Sequence, residues 1–170
     1  MRHLLYPSET SESTYLIPFE SYFDEGYRGI IFDIDNTLVP HGAPADDRAV
    51  ELFERLHKIG FRTLLLSNNK EPRVAPFARA VDSEYIYKAD KPFLAGYLRA
   101  MEKMGTNPGN TLFIGDQIFT DVWGANRAGM HTVLVGQIDK KEEIQIVLKR
   151  YLEAVVLFFY RRHVKRHGKD

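Results

Sequence analysis

The chain has 170 residues with 23 basic against 23 acidic side chains, so its formal net charge is zero and no global field argues for nucleic acid as a partner. Hydrophobic residues make up 44% and charged residues 27%, a composition ordinary for a soluble domain long enough to bury a sizeable core. There is no cysteine, which removes disulfides, thiolate metal sites and cysteine nucleophiles and fits a reducing, cytoplasmic setting.

Residues 1–28 show weak periodicity with scattered aromatics (Tyr6, Tyr15, Phe19, Tyr22, Phe23, Tyr27) and read as an arm or short helix lying on the domain; residues 1–12 lack the apolar core of a signal peptide. A first strand is expected over 29–33, an apolar run that ends abruptly in Asp33 and Asp35. Asp46 or Asp47 caps a helix whose apolar face is Val50, Phe53, Leu56 and Ile59, and Gly60 stops it. A second strand over 62–66 leads into Ser67-Asn68-Asn69. A helix over 71–80, imperfect because of Pro76, and a short strand over 85–87 follow. Lys91-Pro92 opens a third helix through Met104. A fourth strand over 111–115 precedes Asp116, a fourth helix covers 118–128, and a fifth strand covers 131–135. The last helix starts near Lys140 and runs into a basic tail. Strands alternating with helices through short connections predict a parallel sheet with helices on both faces.

The strands end in chemically useful residues: Asp33 and Asp35, then Ser67, then Lys91, then Asp116 with Asp121 five residues on. Ligands of open α/β sheets bind outside the carboxyl ends of the strands, so these groups are expected to converge on one edge. Carboxylates suit a hard, oxygen-seeking cation such as Mg²⁺. A lysine and a hydroxyl suit a phosphoryl group. One carboxylate can attack phosphorus while another protonates a leaving oxygen. The competing reading scatters the same residue types over surface loops, where they are common.

Asp33-Ile34-Asp35-Asn36-Thr37 resembles the DxDxT first motif of the haloacid dehalogenase superfamily. Leu66-Ser67-Asn68 resembles its second motif, Lys91-Pro92 its third, and Gly115-Asp116 through Asp121 its fourth, GDxxxxD. The resemblance covers roughly residues 25–137. Within the superfamily these motifs look like the YqeG group of phosphatases, related to mitochondrial phosphatidylglycerophosphate phosphatase. The resemblance implies a three-layer, Rossmann-like α/β fold with a five-stranded, mainly parallel sheet. Its domain plan is an arm at 1–28, a phosphatase core at 29–139, and a C-terminal helix and basic tail at 140–170. It implies Asp33 as nucleophile and metal ligand, and Asp35 as general acid/base with its backbone carbonyl on Mg²⁺. Ser67, Asn68 and Lys91 would hold the phosphoryl group, Asp116 would bind the metal, and Thr37 and Asp121 would support the site. The gaps between motifs are too short for a cap domain. An open site suits a large or surface-presented phosphate, or calls for a partner subunit as lid, hence a homo-oligomer.

The rival readings are a phosphatase of a soluble small phosphate or nucleotide, and a phosphate-binding or partner-docking module on the same fold. The six histidines show no metal-binding spacing, and only His41, near the first motif, lies close to the expected chemistry. In the C-terminal helix, Ile144, Val147, Leu148, Tyr151, Leu152, Val155 and Phe159 recur at helical spacing, and Arg161, Arg162, Lys165, Arg166 and Lys169 follow. That helix is expected either to pack on the sheet or a partner subunit, or to lie on an anionic membrane that presents a lipid-borne phosphate.

Overall fold

Alternation along one strand decides the layering. In β2 (Gly29–Phe32), Ile30 and Phe32 enter one apolar cluster and Ile31 enters another, and all three are fully buried. The sheet is therefore covered on both faces, and each such side chain contributes roughly 1.5–3 kcal/mol by leaving water. The computed structural model describes residues 3–139 and 144–167.

The first cluster is closed by α1 (Phe19–Asp24), α2 (Asp47–Ile59) and α3 (Glu71–Ala80). The second is closed by α4 (Leu94–Met104) and α5 (Trp123–Arg127), with Tyr97, Ala100, Met101, Met104 and Ala125 as its main contributors. The order across the sheet is β1-β6-β5-β2-β3-β4, all parallel, with β1 at Glu9–Ser11, β3 at Arg62–Leu66, β4 at Glu84–Ile86, β5 at Thr111–Gly115 and β6 at His131–Val135. The fold is thus the expected three-layer α/β arrangement, but the sheet has six strands rather than five. The added strand comes from the segment expected as an arm. Its apolar content is negligible, and what fixes it is pairing to β6 together with reciprocal hydroxyl bonds between Ser8 and Thr132.

Local chemistry sets the boundaries. The Asp46 carboxylate accepts the Ala49 amide at the start of α2, and Gly60 ends it at φ 116°, a left-handed conformation that glycine adopts without strain. The Lys91–Pro92 peptide is cis and α4 begins only at Leu94, so Lys91 sits in a loop and does not open the helix. The expected fourth helix begins as a π-helical turn at Ile118–Val122 before α5. One helix separates β2 from β3, and one helix with one short strand separates β3 from α4; neither connection holds a cap domain.

The last helix, α6, spans Ile144–His167. Lys140, where it was expected to start, lies outside the described residues, as do Lys169 and Asp170. Its inner side meets the domain: Val156 and Leu157 pack with Leu5 against Ile118, Val122 and Leu134, and Tyr160 and His163 stack on Tyr6. The described part of the apolar set read from the sequence (Val147, Leu148, Tyr151, Leu152, Val155, Phe159) is exposed, so that set does not pack on the sheet. Among the described residues no helix is long and apolar enough to cross a membrane.

Candidate active site

Because every strand is parallel, every strand's carboxyl end lies on one edge. Asp33 follows β2, Ser67 follows β3, Lys91 follows β4 by a short loop, and Asp116 follows β5. All four are at least nine-tenths buried. The Lys91 Nζ donates to Asp33 Oδ1 at 2.8 Å and to Asp121 Oδ1 at 2.7 Å. The π-helical turn brings Asp121 back over β5, where its other oxygen accepts the Gln117 amide at 3.1 Å. A Cβ on Gly115 would meet that carboxylate at 2.5 Å, so this close approach requires glycine.

Asp116 is held from two sides. Thr37 Oγ1 lies 3.2 Å from Asp116 Oδ1 and 3.5 Å from Asp33 Oδ2, spanning the two carboxylates. From α6, Arg150 Nη2 donates to Asp116 Oδ2 at 2.5 Å and Nη1 donates to the Asp116 carbonyl at 2.6 Å. Glu153 completes this latch: one oxygen accepts from Arg150 at 3.0 Å and the other from the Ile118 amide at 2.8 Å.

Asp35 stands a little apart. Its carboxylate accepts from Arg73 at 2.9 Å, from the Asn69 amide group at 2.7 Å and from the Gly42 backbone at 2.7 Å. Asn68 clamps the backbone of Lys91 on both sides, accepting from its N–H at 2.7 Å and donating to its carbonyl at 3.1 Å. Its side chain is therefore engaged in placing the lysine. The Ser67 hydroxyl accepts from the Asn69 backbone at 3.1 Å, which leaves its own proton available to donate. Asp33, Asp35, Ser67, Asn68 and Lys91 line one pocket, joined by His41, Asn69, Gln117, Thr120 and, from α6, Lys149.

The electrostatics follow from burial. Desolvation raises the Asp33 carboxyl to about 6, with Asp121 and Asp35 adding to the rise and Lys91 opposing it. Burial likewise pushes Asp116 well above the usual carboxylate range, reinforced by Asp33 and Asp121 and opposed by Arg150. For Lys91 burial disfavours the ammonium, but Asp121 and Asp33 outweigh it and hold the group above its ordinary pKa. One carboxylate oxygen each from Asp33, Asp116 and Asp121 lies within 4.8 Å of the others. Three buried carboxylates face two cations, Lys91 and Arg150, so the cluster is short of positive charge. An all-oxygen set of this kind fits a divalent metal ion.

The residues expected from the motifs thus gather at one edge. Sequence reasoning missed Arg73, Asn69, Lys149, Arg150 and Glu153. Arg150 and Glu153 form an i,i+3 pair visible on paper, but nothing in the sequence links them to Asp116.

The family described as haloacid dehalogenase-like hydrolase matches residues 41–129. The chain is 34% identical over 163 residues to the probable phosphatase YqeG of Bacillus subtilis, covering 95% of each. It is 28% identical to the chloroplastic/mitochondrial phosphatidylglycerophosphate phosphatase 1 of Arabidopsis thaliana, over 92% of this chain and 48% of that one, so it spans about half of that relative's length. Among solved structures, the cobalt-bound deoxy-D-mannose-octulosonate 8-phosphate phosphatase from Haemophilus influenzae shares the fold at 16% identity. The TM-score is 0.53, with 65% of this chain and 69% of that chain covered. The chain belongs to the haloacid dehalogenase-like hydrolase family and is one of its phosphatases.

Proposed function

We propose that the protein is a Mg²⁺-dependent phosphomonoester hydrolase that forms an aspartyl-phosphate on Asp33, and that its substrate is a lipid-borne phosphate of the phosphatidylglycerophosphate kind. The observation that carries the mechanism is Asp33 itself, a buried carboxylate at the pocket floor, bonded to Lys91 and flanked by Asp116. Relatives named as phosphatidylglycerophosphate phosphatases in Arabidopsis thaliana and Chlamydomonas reinhardtii support the lipid class. So does the absence of a cap between the strands that carry the site, which leaves room for a phosphate presented at a surface.

Asp33 and Asp116, with the Asp35 backbone carbonyl, would hold the cation. Mg²⁺ held there would neutralise carboxylate charge and lower the repulsion an anionic phosphoryl group meets on approach. Lys91 and Ser67 orient the phosphoryl oxygens. An Asp33 oxygen attacks phosphorus, the bond from phosphorus to the ester oxygen breaks, and Asp35 gives that leaving oxygen its proton. The Asp35 carboxylate then takes a proton from water, whose oxygen attacks phosphorus and breaks the bond to Asp33. To do this Asp35 exchanges its contact with Arg73 for the leaving oxygen, so Arg73 influences how readily it acts.

Asp35→Asn separates these steps. With an alkyl phosphate, phosphoryl transfer itself should slow by roughly 10²-fold or more. With nitrophenyl phosphate, whose leaving group needs no proton, one equivalent of nitrophenol should appear in a fast burst before slow turnover. Equal slowing of the first turnover on both esters would assign Asp35 a structural role.

The raised carboxyls set a pH signature. Asp33 has a folded pKa of about 6, above its unfolded value, so its contribution to stability is full below about pH 4 and lost as pH rises through 6. Asp116 acts in the same direction. Mg²⁺ should therefore raise the Tm at pH 7.5, where Asp33 is charged, and raise it much less at pH 5, where protons compete. An equal Mg²⁺ effect at both pH values, read by thermal unfolding, would contradict binding at these carboxylates.

For the substrate, kcat/KM should be higher on phosphatidylglycerophosphate in vesicles than on any soluble phosphate ester. Higher efficiency on a soluble sugar or nucleoside phosphate would overturn the lipid assignment and leave the phosphatase chemistry standing.

A further inference from the structure

α6 is apolar nearly all round between Ala154 and Tyr160, and a helix of that kind is ordinarily buried on every side. Here only one side is covered. Arg150, Glu153, Val156, Leu157, Tyr160 and His163 face the domain. On the opposite side Leu148, Tyr151, Leu152, Val155, Phe158 and Phe159 are each 55–71% exposed. Their spacing of three and four residues puts them on one stripe. With Val147, α6 carries seven of the twelve exposed large apolar side chains among the described residues; the other five are scattered over the loops and remaining helices.

The same stripe continues into charge. Arg162 and Arg166 extend it by further turns and Arg161 and Lys165 flank it, while no acidic residue occurs from 154 to 167. The Arg162 guanidinium lies 5.6 Å from the centre of the Phe158 ring, so cation and apolar surface are contiguous. The rest of the chain compensates for this, because the net charge is zero. A protein partner would have to cover six large apolar side chains and supply acids for the basic end. A second copy of α6 offers no acid over that stretch. An anionic bilayer meets both demands with one surface, apolar below its headgroups and negative at them.

We infer that the outer face of α6 docks on an anionic lipid surface, seating Leu148, Tyr151, Leu152, Val155, Phe158 and Phe159 among the acyl chains and the basic end at the headgroups. The helix is also part of the site, through Lys149 in the pocket wall and Arg150 on Asp116, so docking places the pocket wall at the surface. This deepens the lipid-phosphate reading and rests on it for its purpose.

The test is sedimentation of the full-length chain with vesicles of phosphatidylglycerol and phosphatidylcholine, or of phosphatidylcholine alone, at low and high salt. Three forms are compared: the natural chain, Leu152→Asp with Val155→Asp, and Arg162→Gln with Arg166→Gln. All substituted residues are on the exposed face and outside the catalytic machinery. The natural chain should pellet with the anionic vesicles at least tenfold more than with neutral ones. The aspartate variant should stay in the supernatant, and the glutamine variant should lose most of the anionic preference. All three should hydrolyse a soluble aryl phosphate alike, which shows that the variants are folded. Equal pelleting of the natural chain and the aspartate variant would overturn the inference, as would no pelleting at all. A stable dimer in sedimentation velocity that the aspartate variant splits would overturn it in favour of a second copy. Pelleting as expected with no turnover of any phosphate ester would uphold the docking and overturn the catalytic reading.

Discussion

Asp33→Asn is expected to reduce hydrolysis of an aryl phosphate, with Mg²⁺ present, to less than about a hundredth of the natural rate, because loss of a covalent nucleophile removes several orders of magnitude. Asparagine has nearly the same shape, keeps one oxygen for Lys91 and cannot attack phosphorus. The variant should also fold. Burial makes the charged form of Asp33 unfavourable, as its rise to about 6 shows, so a neutral side chain relieves strain at pH 7 even though the bond to Lys91 weakens. Tm in chelator should therefore hold steady or increase while activity disappears. A variant retaining a tenth of the activity would remove Asp33 from the nucleophile's place. A variant that unfolded would show that the Lys91 pair outweighs desolvation.

Lys91→Met carries the largest expected loss of stability. The ammonium is buried and bridges Asp33 and Asp121, so its removal leaves three buried carboxylates with Arg150 as their one remaining cation. Breaking a buried ion pair from one side costs about 3–5 kcal/mol. For a chain of this length that corresponds to roughly a 10 °C fall in Tm, with hydrolysis lost as well. Mg²⁺ should restore part of the Tm, and lowering the pH toward 5 should restore part of it without metal, because both treatments relieve the same repulsion. A fall of less than about 2 °C would mean that the carboxylates are screened by water and that the lysine is not their counter-charge.

Much of this site was legible because strand ends are punctuated by chemistry. A buried run that stops at Asp33, Ser67 or Asp116 announces both the strand and what stands at its end. In a parallel sheet those ends must share an edge. The helix α2 was equally plain, since Asp46 and Gly60 mark its limits by side-chain capping and by backbone conformation. The sixth strand was not legible. Glu9–Ser11 is short and polar, and it is fixed by backbone pairing and by Ser8 meeting Thr132, which no local pattern encodes. Asn68 was expected to line the site and it does, but its two-sided clamp on Lys91, a contact across 23 residues, was not legible.

The least legible element was α6. Its apolar periodicity identifies a helix but not which side meets the domain. A stripe of six large apolar residues reads as the packed face. The packed face also carries Arg150 and Glu153, whose partners lie 34 or 35 residues away on the Asp116 loop. That latch lies on one side with Val156, Leu157, Tyr160 and His163, and the stripe faces outward. The same inversion exposes the surface to which lipid docking is assigned.

In the proposed reaction Asp33 carries the phosphoryl group between two half-reactions. Acid quenching of Asp35→Asn within the first turnover on nitrophenyl phosphate tests it most directly, because that variant should form the intermediate and be slow to hydrolyse it. Peptide mass spectrometry of the quenched protein should find one phosphoryl group, on the peptide containing Asp33 and lost when Asp33→Asn is added. A phosphoryl group on another residue, or a burst of nitrophenol with no protein-bound phosphate, would rule out Asp33 as the phosphoryl carrier.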